Sequence, residues 1–109
     1  MIIYKATNKI NNKCYIGQTI GTFNFRKKTH IYDAFTKNSN FYFHNALRKY
    51  GKENFEWTIL CECDSIMMLN RMEVFYIWYY DTYNNGYNST TGGPNYIKSE
   101  EHKEKISNA

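Results

Sequence analysis

The chain has 109 residues, a formal charge of +4 and an isoelectric point near 8.9. That length allows one domain with a modest core, and its charge permits an anionic partner without requiring one. Three cysteines without a CxxC pair exclude a thiolate zinc cluster and a disulfide framework.

No apolar run is long enough for a membrane span, and Met1 leads straight into a strand-like segment rather than a signal peptide. A reducing, cytoplasmic setting is therefore expected. Lysine (11) far exceeds arginine (3), so each arginine calls for a specific reason.

In chain order, residues 2–7 (IIYKAT) and 13–18 (KCYIGQ) read as two strands joined by the turn-prone NKINN. A turn between Lys9 and Ile10 would set Tyr4 opposite Tyr15 and Gly17 opposite Ile2, with both phenols on one face. A helix is expected from an Asn24 cap to about Lys37, its apolar arc formed by Phe25, Tyr32, Phe35 and part of Ile31. Arg26, His30 and Asp33 share one border of that arc, being three and four residues apart. A second helix, about Phe41 to Tyr50, carries Phe43, Ala46, Leu47 and Tyr50 at core spacing and ends at Gly51.

NFEWTILCEC then alternates, placing Phe55, Trp57, Ile59 and Cys61 on one face of a third strand. Ser65 caps a last helix, about 66–80, with Met68, Leu69, Met72, Phe75, Tyr76 and Tyr79 as a wide apolar stripe. The segment DTYNNGYNSTTGGPNY reads as loop, and a polar tail follows. The expected fold is α+β: a three-stranded antiparallel sheet flanked by three helices in the order ββααβα.

Glu73 is the only acid between Asp64 and Asp81, on the flank of an otherwise apolar stripe. A carboxylate among so many aromatics needs a partner. An ion pair with Arg71 or a lysine would serve, and so would a divalent cation. The same residue types make a phosphodiester site: a guanidinium for phosphate, a carboxylate oxygen for Mg²⁺ or Mn²⁺, and phenols whose ionised form a nearby cation would favour.

Together, IIY at 2–4, YIG at 15–17, Arg26-x-x-x-His30, Glu73 and GYN at 86–88 make the chain resemble the GIY-YIG nuclease family. The likeness is nearest to the catalytic domains of phage and intron-encoded homing endonucleases. It covers residues 1–92, and the tail at 93–109 resembles the start of a nuclease-associated DNA-binding module. The resemblance implies a metal-dependent DNA endonuclease that hydrolyses a phosphodiester bond. Its partner would be DNA, with no membrane and no obligate protein partner. The alternatives are a structure-specific, repair-type nuclease and a non-catalytic DNA-binding module.

By the same resemblance, Tyr4 or Tyr15 would activate the attacking water, with Tyr4 favoured as base and Tyr15 positioning. Arg26 would hold the phosphate, and His30 would transfer a proton or orient a tyrosine. Glu73 would bind Mg²⁺ (or Mn²⁺), and Asn88 would tie the loop after the last helix to the site. Gly17 would keep the surface clear for the nucleic-acid backbone. Two departures stand out: Ile2 replaces the first glycine of the family triplet, and Ser39 stands where some relatives carry a second histidine. His44, on the next helix, is not assigned that role.

Overall fold

The computed structural model describes residues 1–92, so the tail at 93–109 lies outside the described residues. Three strands, β1 (Ile2–Asn8), β2 (Cys14–Thr19) and β3 (Phe55–Glu62), form an antiparallel sheet in the order β2-β1-β3. Helices α1 (Phe23–Phe35), α2 (Tyr42–Tyr50) and α3 (Ile66–Tyr80) give the expected ββααβα order. A one-turn helix, α4 (Thr82–Asn85), occupies part of the segment expected to be loop.

Strand alternation sorts the core into two layers. Tyr4, Ala6 and Tyr15 pack with Ala34, Phe43, Leu47 and Phe55 beneath α1 and α2. Ile3 and Ile16 point the other way, onto Leu69 and Ile77 of α3. The middle strand is therefore covered on both faces.

The hairpin register differs from the expected one by two residues. Tyr4 pairs with Gly17 and Tyr15 with Ala6, because the connection spans residues 9–13, within which Asn12 adopts a left-handed φ of 65°. A slip of two leaves every side chain on its original face, so both phenols still share one side, with ring centroids 6.2 Å apart. The third strand departs more sharply. Its pairing with β1 jumps from Tyr4–Ile59 to Ile3–Cys61, and this bulge turns Cys61 toward α3 while Phe55 and Trp57 stay beneath α1 and α2. Ile59 keeps the Tyr4 side but is half exposed, at 46%.

Helix α1 is inverted relative to its apolar arc. Thr22, not Asn24, caps it, its hydroxyl accepting from the Phe25 amide at 3.2 Å. Phe25, Tyr32 and Phe35 lie exposed, while the buried residues are His30 and Ala34. A polar face turns inward only where its groups find partners there, and His30 has two. Helix α2 buries Phe43, His44, Ala46 and Leu47 and stops at Gly51, whose φ of 91° suits glycine. Arg48 donates to the Ala34 carbonyl at 2.7 Å, closing the last turn of α1.

The Ser65 cap of α3 is as expected, with its hydroxyl accepting from the Met68 amide at 3.1 Å. Of the expected stripe, Leu69, Met72 and Tyr76 meet the sheet. Met68, Phe75 and Tyr79 do not, and remain exposed. A helix apolar nearly all round has more such surface than three short strands can cover. Among the described residues, no helix is long and apolar enough to cross a membrane.

Candidate active site

The Tyr4 phenol is the hub of the site. Strand β1 aims it beneath α1, where it is 1% exposed and 2.6 Å from His30 Nε2. The Arg26 guanidinium, one helical turn before His30, lies near enough for its charge to act on the same phenol. The Tyr15 ring lies beside it, and beside the His30 ring at 5.4 Å between centroids. Four expected residues, Tyr4, Tyr15, Arg26 and His30, thus gather around one phenol.

Burial raises the Tyr4 phenol above its ordinary value, and the charge of Arg26 pulls against that rise. Tyr15 is raised further, by burial and by Tyr4 itself. Its ring stacks on Phe43 at 4.3 Å, which fixes its orientation. Burial, Arg26 and His44 together hold His30 neutral, pushed down to about 3.

Gly17 lies directly across from Tyr4. A Cβ there would collide with the Tyr4 hydroxyl and ring, and would stand 2.9 Å from the Tyr15 ring. The space left by the missing side chain is filled by the phenol, so the glycine lets Tyr4 lie across β2.

Glu73 arrives from the other layer. Helix α3 covers the Ile3–Ile16 face, yet Glu73 sits at the β2 margin, where Gln18 Nε2 donates to its Oε1 at 2.7 Å. Gln18 also donates to Asn70 Oδ1 at 3.1 Å. From this margin the negative charge of Glu73 raises both Tyr4 and Tyr15. Its field therefore reaches the phenols although its helix lies behind the sheet.

Asn88 is buried at 7% exposure. Its side chain accepts from the Ile16 amide and donates to the Ile16 carbonyl, both at 2.8 Å. The Tyr87 amide bonds the Cys14 carbonyl at 2.9 Å. The 86–88 turn thus occupies the free margin of β2, which would otherwise present unpaired backbone groups, and it braces the strand between Tyr15 and Gly17.

The structure joins His44, which carries no expected role, to the site. His30 Nδ1 and His44 Nε2 are 2.7 Å apart, and His44 Nδ1 lies 3.0 Å from Ser39 Oγ. The available signal was its place beside Phe43 on the buried face of α2, since a histidine at a core position needs a polar partner.

Among the described residues, no group of three or more His, Cys, Asp or Glu side chains could hold a metal ion. Among the described residues, the Glu73 carboxylate and the carboxamides of Gln18 and Asn70 stand together at the β2 margin.

No family model matches the chain. It is 34% identical over 84 residues to an MSV199 domain-containing protein, 146R, of Invertebrate iridescent virus 6, across 75% of this chain. The chain spans about a third (34%) of that relative's length. Among solved structures it is similar to the catalytic domain of homing endonuclease I-TevI, with TM-score 0.71 and 31% identity, covering 81% of this chain and 96% of that one. A single-residue variant of the I-TevI catalytic domain gives TM-score 0.74 and 28% identity over 83% of this chain and 93% of that one. With nearly the whole of that catalytic domain matched, and with its two tyrosine strands and arginine helix assembled around one phenol, this chain belongs to the GIY-YIG nuclease family.

Proposed function

We propose that the chain is a metal-dependent DNA endonuclease of the homing type, hydrolysing a phosphodiester bond at the Tyr4 hub. The observation that carries this reading is the gathering of Arg26, Tyr15 and His30 about one buried phenol, with the charge of Glu73 in range of it. A structural cluster has no need of a permanent cation on a buried phenol. A phosphate-cleaving site does, because negative charge builds on the phosphoryl oxygens as the bond breaks.

In this mechanism Arg26 holds the scissile phosphate beside the phenol. Tyr4 takes a proton from the attacking water while handing its own to His30 Nε2, 2.6 Å away. The transfer is coupled because burial disfavours a standing phenolate. Tyr15 holds the Tyr4 oxygen in place, and Asn88 steadies the strand that carries Tyr15. The donor set fits Mg²⁺: a single carboxylate, Glu73, beside neutral carboxamides suits an ion that keeps most of its water and shares phosphate oxygens. Bound there, the ion would offset charge on the leaving oxygen.

One domain carries one such hub, so each binding event cuts one strand. The test is nicking of supercoiled plasmid in Mg²⁺ or Mn²⁺. Wild type is expected to nick, with Arg26→Ala and Glu73→Ala each slower by roughly 10²–10³-fold. If wild type binds DNA yet cuts no faster than these variants in either metal, the chain is a binding module. A strong preference for branched over plain duplex would favour the repair-type alternative.

A further inference from the structure

Beyond His30, the hydrogen bonds continue in single file: His30 Nδ1 to His44 Nε2 at 2.7 Å, then His44 Nδ1 to Ser39 Oγ at 3.0 Å. In the nuclease reading Tyr4 keeps a lone pair for the attacking water, so its own proton goes to His30 Nε2, 2.6 Å away. His30 then carries its hydrogen on Nδ1 and gives it to His44 Nε2. His44 carries its hydrogen on Nδ1 and gives it to Ser39. The Phe41 amide donates to the same Ser39 oxygen at 3.1 Å, leaving the serine hydroxyl proton to point to water.

Resting on the nuclease reading above, we propose that His44 is the second link of a proton relay. The relay carries the proton of the attacking water from Tyr4 through His30 and His44 to solvent at Ser39. Each bond broken is matched by one formed. Water gives a proton to Tyr4 and keeps the electron pair that attacks phosphorus. Tyr4 gives its proton to His30 Nε2, His30 gives its Nδ1 proton to His44 Nε2, and His44 gives its Nδ1 proton to Ser39. The serine releases its original proton to bulk water.

Both rings stay neutral, each having exchanged one nitrogen's hydrogen for the other's. That matters because His30 is 1% exposed and close to Arg26, a poor place to store a proton. His44 lies within range of the charges of Asp33, Arg26 and Arg48. Single-turnover rates read the relay without the return of the nitrogens to their starting tautomers.

Two measurements on the full chain test the proposal. Long-range ¹H–¹⁵N spectra of the free protein at neutral pH are expected to show both His30 and His44 neutral and protonated on Nδ1. Either ring protonated on Nε2 breaks the head-to-tail order and overturns the relay. In single-turnover nicking, His44→Phe is expected to slow the step roughly 10–10²-fold at unchanged DNA affinity. Ser39→Ala, which leaves the packing intact, is expected to slow it by about a few-fold.

Added imidazole is expected to recover part of the rate lost in His44→Ala, an effect that a purely structural role would not give. Folded His44→Phe cutting at the wild-type rate, or folded His44→Ala indifferent to imidazole, overturns the proposal. Wild type cutting no better than Arg26→Ala is a different result: it removes the nuclease reading and the relay's task together.

Discussion

At the residue scale, His30 is where acidity reaches this fold. Its ordinary value of 6.5 drops to about 3 in the folded chain, chiefly through burial and then through Arg26 and His44. The unfolded chain therefore binds a proton that the folded one refuses between those two values, so stability falls as pH falls below about 6.5. His44 is lowered too, and adds to the loss in the same direction. The urea midpoint is expected to drop on acidification from neutral pH, His30 alone contributing about 1 kcal/mol per pH unit. His30→Gln should flatten that slope. An equal slope in the variant would place the acid sensitivity elsewhere.

At the element scale, the site depends on how firmly β2 is held, since that strand carries Tyr15 and Gly17 at the margin of the sheet. Asn88→Ala removes both side-chain bonds to Ile16 and leaves buried backbone groups unpaired. A loss of about 1–3 kcal/mol is expected in urea unfolding, with faster hydrogen exchange at the Ile16 amide as its local signature. Unchanged exchange there would mean that the Tyr87–Cys14 bond braces the strand unaided.

The elements themselves were largely legible. The Gly51 stop, the Ser65 cap and the alternation before Ile59 are local signals, and the structure follows them. What misled was hydrophobicity without partners. Phe25, Tyr32 and Phe35 mark an apolar arc on α1, but the helix turns inward where His30 hydrogen-bonds Tyr4, contributed by a strand more than twenty residues away. The bulge opposite Ile3 and Tyr4 is likewise set by tertiary pairing and leaves no local mark. His44 was missed for the same reason: its partners, His30 and Ser39, lie on other turns of the chain.

At the scale of the whole molecule, the site is a junction of two layers. The α1–α2 side supplies the cation and the imidazoles, and α3 behind the sheet supplies the carboxylate. Motif order alone pointed to these residues. It could not say that the acid would approach from behind, past the β2 margin, because that depends on how α3 crosses the sheet. The net charge of +4 bears on this scale as well. DNA affinity is expected to fall steeply with salt, with a log–log slope of about −3 or steeper as counterions are released. A flat titration would mean that the lysines only keep the chain in solution.

The middle position of β1 has a mechanical corollary. A strand laddered along both sides and roofed above and below gives way only when the entire fold does. Tyr4 is thereby an anchored anvil, while Tyr15, His30 and Arg26 ride on β2 and α1 around it. In the proposed reaction, any adjustment to the shape of a bound backbone would fall to those outer elements, with the phenol oxygen held by the central ribbon.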